Sequence, residues 1–323
     1  MTSTLRSHAR RRFAARLAAL AAASAAGGCV RWNDLGWDKE KDKVTQRSAG
    51  PAEPRRDGPA PVATRGDRVL RLADNVSLAL IYVAPGRFVM GSPESEPGRS
   101  PDERQHDVAL TQGFWLGRTE VTQRQWAAVM KRSAQEQRAL AEAERRDASS
   151  AAPALPGESP EHPICYVSWD EATEFCRRIN AAESDQGRVP SGYGYWLPTE
   201  AQWEYACRAG SAGPHAGGAS LDEVAWYENN AGGVAHPVAT KAANAWGLFD
   251  MLGNVSEWCA DYYGEYPQGT AIDPYGPDAG AGRVERGGHW ANPERRCRPA
   301  QRSGVPGNRR YPGTGLRLAL RPM

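Results

Sequence analysis

Residues 246–263, WGLFDMLGNVSEWCADYY, constrain this chain more than any other segment. Asp250 and Glu257 lie between two aromatic clusters, and the Gly253-Asn254 step between them forces a tight turn, because both residue types tolerate positive φ. Such a turn lets backbone carbonyls point inward. Two carboxylates with inward carbonyls form the oxygen-rich arrangement that a hard cation such as Ca²⁺ prefers. The other reading of the same residues is an aromatic-lined turn whose acids hydrogen-bond nearby backbone.

The rest of the chain supports a loop-dominated fold. Its 323 residues suffice for one large domain or two ordinary ones. They include 34 Gly, 24 Pro and 11 Trp, which points to many turns held by aromatic packing rather than by long helices. The net charge of +2 is set by five arginines within residues 1–28, where there is no acid, so the remainder is mildly acidic. That balance argues against a nucleic-acid partner, which would require a basic face.

Residues 1–28 read as an export signal. Arg6, Arg10, Arg11, Arg12 and Arg16 precede an apolar run at residues 17–26 that is too short to span a bilayer. The run ends in Ala26-Gly27-Gly28-Cys29, which resembles a bacterial lipoprotein signal with Cys29 as the lipidated first residue of the mature chain. Cleavage near Gly28 without lipidation and an uncleaved anchor are the alternatives. The Arg10-Arg11-Arg12-Phe13 stretch also fits the loose twin-arginine pattern. Residues 29–65 are charged, proline-rich and poor in apolar residues, as expected of a disordered tether. The expected location is the bacterial cell envelope, periplasmic or surface, with the membrane engaged through the lipid.

From residue 66 to 321 the sequence reads as one domain. Residues 76–90 look like two short strands broken at Pro85-Gly86. Capping boxes mark three helix starts, at Thr122 with Gln125, Ser168 with Glu171 and Thr199 with Gln202. The second helix places Ala172, Phe175 and Ile179 on one face, and the third stops at Gly210. Residues 131–160 read as an inserted, solvent-exposed helix and loop rather than core. After Gly210 no helical periodicity of useful length remains, and no internal repeat is visible.

Seven blocks carry a family resemblance: FVMGSPESEPGRSPDE (88–103), EVTQRQW (120–126), HPICYVSWDEATEFC (162–176), WLPTEAQWEYACRAG (196–210), NAWGLFDMLGNVSEW (244–258), RVERGGHW (283–290) and GLRLAL (315–320). In this order they resemble the formylglycine-generating enzyme family, also called the sulfatase-modifying factor domain. The resemblance implies an α+β fold, a formylglycine-generating-enzyme-like variant of the C-type lectin fold with little regular secondary structure. It also implies a structural Ca²⁺ held by the Asp250 and Glu257 side chains and the Gly253 and Val255 carbonyls. A second calcium loop of the family would fall near Asn229 and Asn230, but the segment before Pro237 lacks an acidic ligand.

The resemblance further implies copper chemistry that this sequence does not support. The family enzyme oxidises a substrate cysteine with O₂ through Cu(I) on two cysteines, since a soft d¹⁰ ion favours paired thiolates. Here Asn292 stands at the first cysteine position, His289 replaces the family serine, and Cys297 falls at the second position. Copper is therefore not expected. Cys297 and Cys207 resemble instead the structural pair of non-catalytic relatives, and an exported protein favours a disulfide there. Pairing among Cys165, Cys176 and Cys259 stays open. A non-haem iron face needs two histidines and a carboxylate. Among His8, His106, His162, His215, His236 and His289 no two lie within one helical turn. His289 reads as a pocket polar group rather than a ligand, and the acids and arginines of residues 92–104 as a solvated loop, with groove-edge binding as the sharper alternative.

Two functions follow. The first is a non-catalytic binding or accessory module whose surface includes His289, Trp290, Asn292, Arg295, Arg298, Arg302, Asn308, Arg309 and Tyr311. Aromatics beside Arg and Asn suit a peptide, protein or glycan ligand. In the bland reading Trp290 is core and the arginines are ordinary surface. The second is a metal-dependent oxidoreductase acting on protein or small-molecule thiols.

Overall fold

The computed structural model describes residues 66–144, 156–213 and 220–323. The export signal, Cys29, the tether, His8 and His215 lie outside the described residues. In chain order the strands are β1 (Arg68–Ala73), β2 (Val76–Val83), β3 (Gly86–Met90), β4 (His106–Leu110), β5 (Phe114–Gly117), β6 (Tyr193–Trp196), β7 (Ala225–Trp226), β8 (Leu252–Gly253), β9 (Ser256–Tyr262), β10 (Ala271–Ile272), β11 (Arg283–Arg286), β12 (Arg302–Val305), β13 (Thr314–Gly315) and β14 (Ala319–Pro322). The helices are α1 (Gln123–Met130), α2 (Ala134–Ala143), α3 (Trp169–Asp185), α4 (Glu200–Arg208) and the single turn α5 (Leu221–Val224).

Sheet order follows the chain poorly, as expected where loops dominate. A five-stranded sheet runs β1-β2-β5-β14-β6, a three-stranded one β10-β4-β3, a four-stranded one β12-β11-β9-β13, and β7 pairs β8. The C-terminal β14 lies antiparallel between β5 and β6, with Ala319 facing both Leu116 and Trp196, so the chain end closes the central sheet. The expected break at Pro85-Gly86 separates β2 from β3.

All three expected capping boxes form. Thr122, Ser168 and Thr199 each accept the backbone N–H three residues on, while Gln125, Glu171 and Gln202 reach back to the cap N–H. The expected face of α3 is buried at Ala172, Phe175 and Ile179, and Phe175 stacks on Trp126 of α1 with ring centroids 5.5 Å apart. The reading of residues 131–160 needs correction. α2 exists, but Ala134, Gln137 and Ala141 are buried, and Gln137 Nε2 donates to the Tyr166 carbonyl at 3.2 Å. The insertion thus contributes one face to the core; residues 145–155 lie outside the described residues.

A loop-rich fold strands many carbonyls inside, and buried polar groups need partners. Here arginine supplies them, since one guanidinium offers five donors in a fixed fork. Fully buried Arg286 donates to the carbonyls of Pro299, Ala300 and Gln301 at 2.8–2.9 Å while pairing with Glu204. Arg298 bridges Glu103 at 2.7 and 2.9 Å, pairs with Glu96 and binds the Gly98 carbonyl. Arg302 bridges Glu200 at 2.7 and 2.8 Å, and Arg317 bridges Glu257 at 2.6–2.9 Å. The acidic partners Glu200 and Glu204 belong to α4, eight of whose nine residues are buried. A helix carrying charge on nearly every side can be central only because arginines from distant segments meet it.

Candidate functional site

The segment from Gly287 to Cys297 follows β11 of the sheet β12-β11-β9-β13. Side chains alternate along a strand, so neighbouring residues serve opposite faces. Glu257 and Arg286 turn to the ion pairs within the fold, whereas Ser256, Glu285, Ser303 and Val305 line a cavity of about 180 Å³. Arg286, Gly287-Gly288, His289, Asn292, Arg296 and Gln301 complete the lining.

Gly288 is required by shape. Its φ is +71°, and a Cβ there would lie 2.6 Å from the Arg296 carbonyl and 3.0 Å from Cys297 Sγ. The chain after it curls back on itself. Asn292 Oδ1 accepts the His289 N–H at 3.0 Å, and His289 Nδ1 accepts the Ala291 N–H at 3.2 Å. Arg286 then fixes the opposite wall through the carbonyls of residues 299–301.

Electrostatics at the cavity are uneven. Burial pushes the Glu285 carboxyl up to about 7, partly offset by the hydroxyl of Thr314, which donates to Oε1 at 2.7 Å. Burial, then the charge of Arg296, pulls His289 down to about 4, so its ring is neutral at pH 7. Tyr311 stands near enough that the Glu285 charge adds to the effect of burial in raising its phenol.

Of the nine expected ligand-binding residues, His289 and Asn292 line the cavity. Arg295, Asn308, Arg309 and Tyr311 are exposed, with Arg295 beside Asn229 and Pro97 in a separate surface hollow. Expectations for the remaining three are corrected. Arg298 and Arg302 are buried in their pairs with Glu103 and Glu200 and line other hollows than the Gly288 cavity. Trp290 is partly buried, packed against the cluster of Ala141, Cys165, Tyr166, Ala235 and Val255. The 92–104 loop is exposed over much of its length, as expected, but its Ser92 and Glu103 are buried and Arg298 ties it down.

The Gly253-Asn254 turn has the expected positive φ, +73° and +52°. Its organiser is Glu120, whose oxygens accept Val255 N–H at 3.0 Å and Asn254 Nδ2 at 2.8 Å. The Asn254 carbonyl accepts the Trp290 N–H at 2.9 Å, which couples this turn to the cavity segment. The expected calcium set divides. Asp250 binds the Ala239 N–H through Oδ2 at 2.6 Å, while its buried Oδ1 has no partner. That orphan oxygen fits a cation. Glu257 does not, because Arg317 and Trp203 Nε1 already occupy both of its oxygens.

Copper does not fit the donors present. Position 292 offers an amide committed to its own loop, and Cys297 is fully buried under Gly288, where burial pushes its thiol up to about 12. A soft metal needs thiolate sulfur. The expected Cys207–Cys297 disulfide is also corrected. Both are free, buried thiols, and Cys207 Sγ donates to the Met251 carbonyl at 3.9 Å. Burial raises Cys207 to about 12 as well. Cys165, Cys176 and Cys259 are free and buried too.

Sequence reasoning missed Glu285, Glu120 and Arg286. Glu285 and Arg286 are adjacent charges on one strand, and alternation alone says they part without saying which turns inward.

This curled α+β architecture, with its glycine-paired cavity beside an aromatic turn, is that of a sulfatase-modifying factor domain. The chain belongs to the family described as sulfatase-modifying factor enzyme 1-like domain, which it matches over residues 72–322. It is 36% identical over 148 residues to the formylglycine-generating enzyme of Streptomyces coelicolor, covering 41% of this chain and 43% of that one. It is 29% identical over 232 residues to chaperone protein LppX of Paenibacillus barcinonensis, covering 55% and 70%. Among solved structures, Treponema denticola variable protein 1 is similar with a TM-score of 0.65 at 27% identity, covering 80% of this chain and all of that one. The chain thus spans less than half the length of the Streptomyces enzyme.

Proposed function

We propose that this chain is an exported, non-catalytic binding module of the bacterial cell envelope, held by a lipid on Cys29, which takes a peptide or protein partner at the cavity beside Gly288. One observation carries this reading: the cavity is walled by hydroxyl, amide, imidazole, carboxylate and guanidinium-bearing residues and no thiol, since Cys297 lies beneath it. Its volume of about 180 Å³ is below the roughly 300–1,000 Å³ of small-molecule sites, which suits one inserted side chain of a larger partner. The relative named a chaperone supports a protein partner. A structural calcium ion belongs to the proposal, held by Asp250 and the carbonyls of Gly253 and Val255, with Glu257 remaining on Arg317.

The test joins two measurements on the full chain supplied with copper and oxygen. A sulfatase-type cysteine peptide should gain no aldehyde-reactive label above the control without protein. Peptides from a random-sequence display library should be retained by the wild type and lost by Ser303→Trp, which fills the cavity from β12. Aldehyde formation, or retention indifferent to Ser303→Trp, would overturn the proposal.

A further inference from the structure

Resting on the reading of the cavity as a binding site, we propose that Glu285 is its specificity determinant and that the group it takes is a primary ammonium, as on a lysine side chain.

Glu285 lines the cavity, and its hydrogen bonding among the described residues is limited to the Thr314 hydroxyl on Oε1. The second oxygen takes no protein donor. No cation pairs with it, whereas Glu200 has Arg302, Glu204 has Arg286 and Arg208, Glu257 has Arg317, and Glu103 has Arg298. Among the described residues, the other buried acids without an arginine ion pair, Glu120, Asp250 and Asp261, each accept backbone N–H, Glu120 from Val255 and Asp250 from Ala239. Asp261 accepts two backbone N–H groups, from Glu200 and Gly276.

The charges around Glu285 have other commitments. Arg286 borders the cavity, but its guanidinium is committed to Glu204 and to the carbonyls of Pro299, Ala300 and Gln301, and Arg283 stacks between Trp169 and Tyr262. His289 is neutral at pH 7. Arg296 lines the cavity wall but is exposed and forms no ion pair with Glu285. Tyr311, from the loop before β13, adds a phenol that the carboxylate raises further. Ser256, Ser303 and Gln301 supply oxygen acceptors on the remaining sides, with the Gln301 amide nitrogen already bound to the Arg302 carbonyl. An ammonium has three donors and no acceptor. A carboxylate oxygen plus hydroxyl and amide oxygens is therefore its complement. About six waters fill such a volume, at roughly 30 Å³ each, so a butylammonium arm enters and a folded loop does not.

The probes are the acetylated, amidated tripeptide Gly-Lys-Gly and its norleucine counterpart, titrated calorimetrically into the full chain at pH 8. The lysine peptide should bind at least tenfold more tightly than the norleucine peptide, and Glu285→Gln should erase that preference with a melting temperature no lower than the wild type's. Affinity should fall from pH 8 to pH 6 as Glu285 takes up a proton. Equal binding of the two peptides, blocked by Ser303→Trp, would overturn the ammonium assignment and leave the cavity reading standing. Binding of neither peptide overturns the assignment. If library retention is also unaffected by Ser303→Trp, the underlying reading fails with it.

Discussion

Glu285 carries a cost that a single substitution can expose. Burial raises its folded pKa to about 7, above its unfolded value of 4.5. The folded state therefore holds the proton more tightly. The contribution is neutral below about pH 4, turns unfavourable as pH rises towards 7 and stays unfavourable above it. Glu285→Gln keeps an acceptor for Thr314 and removes the charge, so it should stabilise the fold by about 2 kcal/mol at pH 8 and leave it unchanged at pH 4. Urea midpoints at the two pH values decide this; a pH 8 midpoint at or below the wild type's would sink it. Asp250 and Glu257 show how far single residues were legible. Composition picked out both acids, but only the fold reveals that Arg317 meets one and leaves the other with a bare oxygen. Their substitutions should accordingly differ. Asp250→Asn should abolish the sensitivity of melting to chelator, worth about 2.7 kcal/mol when free Ca²⁺ stands a hundredfold above its dissociation constant. Glu257→Ala should destabilise even in chelator, because it strands a buried guanidinium. Chelator indifference of the wild type would remove the calcium from the account.

At the scale of elements, local signals were legible and tertiary partners were not. Capping boxes involve residues three apart, so Thr122, Ser168 and Thr199 could be found by inspection. The pairing of Arg298 with Glu103 spans 195 residues, and nothing local distinguishes that arginine from the exposed Arg295. The same limit hid the buried face of α2, whose alanines and glutamine read as surface. Arg298 holds the 92–104 loop through Glu96, Glu103 and the Gly98 carbonyl. Arg298→Ala should cost about 3–5 kcal/mol by leaving Glu103 buried without its cation, and should open that loop to proteolysis. Arg295→Ala, one turn away and exposed, should change stability by less than about 0.5 kcal/mol. Limited proteolysis with thermal melting of the two variants checks the contrast. Equal protection would show that the loop is held by something other than Arg298.

For the whole molecule, ordered blocks carried the fold and the cysteine framework went wrong. Export favours oxidised thiols in general, yet Cys207 and Cys297 stand as free thiols in the folded protein. Burial raises the folded thiols, Cys165, Cys207 and Cys297 up to about 12 and Cys176 and Cys259 upward as well, so they are unreactive while folded. Cohesion comes instead from arginines that collect loop carbonyls around α4, a device invisible to periodicity. A Cys207–Cys297 bridge would close a loop of about 90 residues and add roughly 4–5 kcal/mol in the chain-entropy model. Reduction would then lower the melting temperature by many degrees. With both thiols free, the folded protein should melt at the same temperature with and without dithiothreitol. It should resist thiol reagents while folded and release five reactive thiols from residues 66–323 once denatured without reductant. Three reactive thiols in the denatured, unreduced protein, with a melting point that falls on reduction, would restore the disulfide and with it a covalent tie between α4 and the wall of the cavity.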